Sequence, residues 1–347
     1  MKVAIVAFNN LKYSPYVKIY SDKLDDAKVE YDIIYPNRDG IEDNETNHVA
    51  VSWDPAKNKL LNFLHFRSKA ISVLKKNKYD FVFVLTTFPA VLLSGVLKRR
   101  YNGRYLVDIR DYTYEHNAIY YALEKKALKN SKMNVISSPG FKRFLPEGEY
   151  FLCHNMSSAY TEPKASFNRQ DGRIVIGYVG TIAYARACKN LISLVLGDDR
   201  FCLHFYGNER EPAPVNSYVN ELNCDRIKCF GAYNPSEKDG ILESVDLLFN
   251  CYGNNSLLVK CAISNKLYDS FYFKKPLITN SDTIMSDLAG DFSFDIDKCG
   301  GNLDGLYSWY QGIDEDEMVK YMNDRLGEYF DDRKRFNDAI NHIIENL

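Results

Sequence analysis

No run of apolar residues in this chain approaches the roughly 18 that cross a bilayer as a helix. The first one, Val3 to Phe8, stops at Asn9 and Asn10, which reads as a first strand and not as a signal peptide. The eight cysteines stand singly: there is no C-x-x-C pair, and none lies before Cys153. That excludes a disulfide framework and a zinc-ligand spacing, and a reducing cytoplasm is the expected compartment. No G-x-G-x-x-G follows the first strand, where the chain reads Ala7-Phe8-Asn9-Asn10, so a Rossmann dehydrogenase is excluded. No nucleic-acid reader motif accompanies the basic residues, and no nucleic-acid partner is expected. An exported solute-binding protein would need a signal sequence that this reading does not find.

What is present fills 347 residues with 46% hydrophobic and 26% charged composition, enough for two globular domains of about 150 to 170 residues, each with its own core. The net charge of −2 conceals an asymmetry, about +7 in residues 1–165 against about −9 in the remainder. Much of the positive charge lies between Lys98 and Arg143, in the pairs and triplets Lys98-Arg99-Arg100, Lys125-Lys126 and Lys142-Arg143. Such a stretch is either a solvated basic face or a surface for an anionic membrane or anionic acceptor.

Short β-rich runs alternate with helical ones through the first half: Lys2 to Phe8, Tyr31 to Tyr35, Phe81 to Thr86 and Tyr105 to Ile109, with helices around Leu61 to Lys76 and Ala90 to Arg100. Alternation of this kind predicts a parallel sheet, and near-continuous apolar runs such as Val3 to Ala7 predict strands covered on both faces. The pattern lapses into polar residues between Asn155 and Gly172, then restarts with strands at Ile174 to Val179, Phe201 to Tyr206, Ile227 to Phe230, Leu247 to Phe249 and Pro276 to Thr279. The expected fold class is α/β, with two Rossmann-like, doubly wound parallel-sheet domains at 1–165 and 166–320. Residues 321–347 are expected to form a C-terminal helix that packs on a domain or crosses back to the first. Open α/β sheets bind ligands beyond the carboxyl ends of their strands, so two of them facing each other predict a cleft there.

Three segments carry the chemistry. In the first, a strand from Ile176 turns at Gly180-Thr181 and enters a helix holding Arg186 and Lys189, three positions apart. A glycine turn and a helix N-terminus suit a phosphate, and the two cations share a helical face; a packing glycine beside two surface charges is the other reading. In the second, Ser264 or Asn265 caps a helix whose start holds Lys266 and Asp269. The carboxylate suits both hydroxyls of a ribose and the lysine suits phosphate; an ordinary i,i+3 surface ion pair is the alternative. In the third, the loop Gly231-Ala232-Tyr233 precedes a helix start with Asn234 as N-cap, Pro235 first and Glu237 third. A base could meet that loop, or it is a plain turn.

These segments, in this order, resemble the donor domain of GT-B glycosyltransferases, in particular the family-4-like enzymes of bacterial polysaccharide assembly. The resemblance spans roughly 174–279, is carried most specifically by Ser264 to Asp269 with Lys274-Lys275-Pro276-Leu277-Ile278-Thr279, and is weaker around Leu106 to Asp111. It implies a nucleotide-sugar donor, a saccharide acceptor, no cofactor and no metal, and a retaining transfer; the basic first half suggests a polyanionic or polyprenyl-diphosphate-linked acceptor at the inner membrane face. Residue by residue the resemblance implies that Asp269 holds ribose, that Arg186 with Lys189 or Lys266 neutralises the diphosphate, and that Gly180, Thr181, Ser264 and Asn265 contribute to donor binding with Gly231 to Tyr233 at the base. Asp111 and His116 follow a strand of the first domain, where a histidine could assist the acceptor; a helix cap and a surface histidine are the alternatives. Relatives with two glutamates flanking the second segment's helix have one where this chain has Cys261. The Asp-x-Asp at Asp295 and Asp297 is expected to be a solvated loop apart from the donor site. A GT-B nucleotide-sugar epimerase and a non-catalytic sugar-nucleotide-binding protein would share the same donor segment.

Overall fold

The computed structural model describes residues 1–41, 43, 45–161, 172–210 and 215–347. It divides into two compact units, Met1–His154 with Asp332–Leu347, and Asn155–Asp331. The expected boundary between residues 165 and 166, and most of the polar stretch around it, lie outside the described residues.

The first unit alternates strand and helix as β1 Lys2–Val6, α1 Val17–Asp26, β2 Glu30–Asn37, β3 His48–Ser52, α2 Lys59–Lys76, β4 Phe81–Leu85, α3 Thr87–Arg100, β5 Tyr105–Ile109, α4 Ala118–Lys129, β6 Met133–Ile136 and β7 Phe151–Leu152. Its seven strands lie in the order β3-β2-β1-β4-β5-β6-β7, and every registered pair is parallel. Strands β1 and β4 sit in the middle and are almost wholly buried, because their apolar side chains alternate to two covered faces. On one face Tyr20 of α1 meets Phe83 and Phe336 at ring distances of 5.1 and 6.1 Å. On the other, α3 packs against both α2 and α4.

The second unit repeats the alternation: β8 Ile174–Val179, α5 Ala185–Leu196, β9 Phe201–Tyr206, α6 Val215–Leu222, β10 Ile227–Gly231, α7 Lys238–Glu243, β11 Leu247–Phe249, α8 Leu257–Cys261, α9 Asn265–Phe273, β12 Leu277–Thr279, α10 Ile284–Ala289, β13 Ser293–Asp295 and α11 Asp304–Gln311. Its six parallel strands run β10-β9-β8-β11-β12-β13. A last helix, α12, runs from Glu315 to Glu345. Met318, Met322 and Leu326 belong to the second unit's core, and Phe336, Ile340 and Ile343 to the first unit's.

The strands expected from sequence form with ends that agree to within two residues: β1, β4 and β12 are shorter than expected, β2 and β10 longer. Strands β3, β6, β7 and β13 are additional: each has five residues or fewer, and β3 is buried only at Val51. Neither a long apolar run nor a full alternation marks them. Among the described residues, no helix is long and apolar enough to cross a membrane.

Candidate functional site

Loops at the carboxyl ends of β8, β9 and β10 are laced together through glycines. The Gly180 N–H donates to the Tyr206 carbonyl at 2.8 Å and the Gly207 N–H to the Gly231 carbonyl at 2.7 Å. A Cβ on Gly207 would stand 2.0 Å from the Gly180 carbonyl oxygen, and its φ of +135° lies where side chains are rarely tolerated. The sequence reading missed Gly207, since one glycine after a strand announces nothing by itself. Gly180, with φ +120°, opens the turn. The buried Tyr178 hydroxyl holds that turn, donating to the Thr181 carbonyl at 3.0 Å and accepting from the Ala183 N–H at 3.2 Å.

Lys266 enters this edge from the first turn of α9. It is 6% exposed, donates to the Tyr252 hydroxyl at 2.9 Å, and stands 4.3 Å from the Tyr178 ring centroid. Its Nζ lies 3.8 Å from where a Gly180 Cβ would be, so the cation is delivered to the glycine turn. Ser264 occupies the N-cap position of α9, but its hydroxyl donates to Asn250 Oδ1 at 2.8 Å and no side chain caps the helix. Helix α5 also starts without a side-chain cap, at Tyr184 in a left-handed conformation with φ +60°. Open N–H groups at a helix start, next to a buried ammonium, form an electropositive concavity that suits a phosphate.

Tyr184 stacks on Tyr252 at 4.6 Å, and the pair forms one wall of a cleft of about 600 Å³ that also takes in Arg186, Asn190, Asn280 and Asp297. Tyr252 therefore touches Lys266 with its hydroxyl and the cleft with its ring. Asn280 braces the cleft, accepting from the Gly253 N–H at 2.8 Å and donating to Asp297 Oδ2 at 3.1 Å. Sequence reading overlooked Tyr252 and Asn280, which sit in loops without a motif.

Several expectations are corrected. Lys189 does not join Arg186 in the cleft; its Nζ lies 5.0 Å over the Tyr218 ring on α6. Lys266 and Asp269 do not form an i,i+3 surface pair. Asp269 is 3% exposed, and its Oδ1 accepts from the Tyr160 hydroxyl and from Lys238, both at 2.8 Å, so the carboxylate expected to hold ribose faces inward and is already engaged. The Asp269 charge and burial push the Tyr160 phenol well above its ordinary range, burial being the larger cause. Asp297 is not apart from the site: the pairing of β13 beside β12 places it against Asn280 in the Arg186 cleft. Asp295 instead accepts from the N–H groups of Ser281 and Asp297. Cys261 is wholly buried.

The remaining expected residues are found as follows. Gly231 has φ +75°, Ala232 is exposed and Tyr233 half-buried; the Asn234 N–H donates to Glu237 Oε2 at 2.6 Å, closing the helix start that follows. Thr181 is exposed, and so is Asn265, which opens α9. Asp111 and His116 belong to the first unit, in the loop after β5. Both are exposed, and His116 Nδ1 lies 3.3 Å from the Tyr112 hydroxyl. Between them sits Glu115, buried, accepting from the Thr113 N–H at 2.5 Å and the Thr87 hydroxyl at 3.2 Å. Glu124 of α4 is fully buried, and neither of its oxygens has a hydrogen-bond partner among the described residues. Burial, aided by the Glu115 charge, raises its carboxyl to about 8. The run around Asp108 is internal: Asp108 accepts from Tyr20 and Arg110, each at 2.7 Å.

Two parallel Rossmann-like sheets of seven and six strands with their helices are the architecture of the GT-B fold. Comparison with solved structures bears out that fold. Sucrose-phosphate synthase (tll1590) from Thermosynechococcus elongatus superposes with a TM-score of 0.67 at 11% identity, covering all of both chains. Anabaena Alr3699/HepE, solved in complex with UDP and glucose, gives 0.61 at 11% identity over 98% of this chain and 99% of that one. Acinetobacter baumannii MurG gives 0.60 at 10% identity over the whole of both. No family model matches the sequence, and no curated protein matches it.

Proposed function

We propose that this protein is a glycosyltransferase that takes its sugar from a nucleotide-sugar donor held at the carboxyl edge of the second sheet. The observation that carries the reading is Lys266, buried, held by Tyr252 and delivered to the Gly180 turn beside the uncapped start of α9. A diphosphate placed there meets an ammonium and open N–H groups as its negative charge grows on departure, and stabilising that charge is the step such an enzyme must accelerate. Arg186 in the adjoining cleft adds a second cation, while Asn190, Asn280 and Asp297 offer hydrogen bonds to sugar hydroxyls. The loop Gly231 to Tyr233 is assigned to the base. Asp269 is assigned to holding Tyr160 and Lys238 and not to the ribose.

The resemblance to family-4-like enzymes supports a saccharide or polyprenyl-diphosphate-linked acceptor in cell-surface polysaccharide assembly, retention at the anomeric carbon and a leaving group neutralised by Arg186 and Lys266 without a metal. The basic first half supports work at the inner membrane face, with His116 and Asp111 serving the acceptor.

Thermal shift with UDP, GDP, ADP, CDP and NAD tests the donor site, because a ligand that binds only the folded state raises its melting temperature. One nucleoside diphosphate should stabilise the protein, with affinity reduced about 100-fold in Lys266→Ala and about tenfold in Arg186→Ala. Stabilisation by none of them, or equal shifts in both variants, removes the assignment. Release of free nucleotide from the matching nucleotide-sugar when acceptor is added separates a transferase from a binding protein.

A further inference from the structure

One side of helix α5 runs on past the Arg186 cleft. Ala187, Asn190 and Leu194, spaced three and four apart, share that side, and Ser193 flanks Leu194. Ala187 and Asn190 line the cleft, and all four residues line a second space of about 420 Å³ beside it, at the carboxyl edge of β11, β12 and β13. Asn280 and Asp297 also belong to both, so their hydrogen bond stands where the two spaces meet.

The second space is lined differently from the first. Its floor is apolar: Phe249, Cys251 and Cys299 are buried, and Leu194 and Ile296 are half-buried. Both thiols are neutral, since burial raises Cys251 well above its ordinary range and Cys299 to about 11. Cys251 Sγ donates to the Ile278 carbonyl at 3.3 Å. The polar groups Asn190, Ser193 and Asp297 are exposed and stand at the mouth. Gly300 and Gly301 form part of the rim with φ of +57° and +102°, values that suit glycine, and that part of the rim carries no side chain. Among the described residues, Asp297 is the one charged group lining the space.

We propose that this space is a subsite for an acylamino substituent, and that the sugar transferred is an N-acylated amino sugar. The amide N–H donates to Asp297 Oδ1, since Asn280 holds the other oxygen; the Asn190 amide donates to the acyl carbonyl; and the alkyl end covers the floor. Other substituents match less of the lining. Asp297 repels a carboxylate or a phosphate, and a bare hydroxyl or an ammonium leaves the floor in water. The subsite deepens the donor reading and rests on it.

Sugar 1-phosphates test the subsite without a nucleotide base. The probes are glucose 1-phosphate, N-acetylglucosamine 1-phosphate, N-acetylgalactosamine 1-phosphate and 4-acetamido-4-deoxyglucose 1-phosphate. One of the acetamido sugars should bind about tenfold more tightly than glucose 1-phosphate, from one buried methyl and the amide hydrogen bonds. In saturation-transfer NMR its acetyl methyl should receive more saturation than its ring protons. Ser193→Trp, at an exposed position that lines only the second space, should fill it and abolish the preference while the glucose 1-phosphate affinity and the melting temperature stay as in the parent. Equal affinity for all four probes overturns the proposal, as does an acetyl methyl saturated less than the ring or a preference that survives in Ser193→Trp. If a nucleoside diphosphate stabilises the protein but no acetamido sugar outbinds glucose 1-phosphate, the subsite falls and the donor site stands. If no nucleoside diphosphate and no sugar phosphate binds, both fall.

Discussion

The two sheets share one wiring and end differently. At the carboxyl edge of the first, the loops are filled: Phe8, Phe63 and Phe88 pack ring against ring at 4.4 to 5.6 Å, Arg38 lies over Phe8 and Trp53, and Glu115 and Glu124 are sealed below. At the same edge of the second sheet, glycines bring the backbone close and the side chains that remain are a buried lysine, stacked tyrosines and asparagines. The strands fix where an edge lies; the residues after them decide whether it is packed or open to a phosphate.

Glu124 offers the largest test of that difference. Its carboxyl is raised from an ordinary 4.5 to about 8, so the folded chain keeps a proton that the unfolded chain releases between those values. The contribution to stability is therefore complete below pH 4.5, falls as pH rises, and levels off above about 8. Glu124→Gln should remove that slope and leave the protein more stable than the parent at pH 8, on the order of 4 kcal/mol at most, as urea titrations at pH 5 and pH 8 would show. A parent whose stability is flat across that window would place the carboxyl in contact with water.

Gly207→Ala attacks the open edge instead. With its Cβ set against the Gly180 carbonyl and a φ reserved for glycine, it should cost about 3 kcal/mol and weaken nucleotide binding together with stability. Asp269→Asn separates a brace from a ligand. As the partner of Lys238 and Tyr160 it should cost about 1 to 2 kcal/mol in unfolding while nucleotide affinity changes less than about threefold; a large loss of affinity at unchanged stability would return it to the ribose. His116→Ala should be the mildest, within about 0.5 kcal/mol of the parent in stability because the ring is exposed. A fall in turnover with the donor Kd unchanged would tie it to the acceptor.

Much of the fold was legible because burial writes itself into sequence. Val3 to Ala7 and Phe81 to Leu85 are apolar throughout since both faces of their strands are covered. The spacing of Met318, Met322, Leu326, Phe336 and Ile340 announced a helix with one apolar side. The Asn234-Pro235-Glu237 start was readable because its hydrogen bond closes within four residues. The cleft was not, because its members come from loops far apart in the chain. Tyr252, Asn280 and Asp297 meet only after β11, β12 and β13 have paired, and nothing local to any of them says so. Even at legible positions direction was hidden: Lys189 turned to Tyr218, and Asp269 turned inward to Tyr160 and Lys238.

The sequence alone determined the two parallel sheets, the restart of the pattern after the polar stretch, the glycine turn at Gly180 and the lysine at the start of α9, since each follows from periodicity or from a backbone requirement within a few residues. Only the tertiary structure decided which side chains share the cleft, that Gly207 must stay glycine and that Tyr252 joins Lys266 to that cleft. Those outcomes depend on strand order and on which groups lose water together, and neither is encoded by any short stretch of chain.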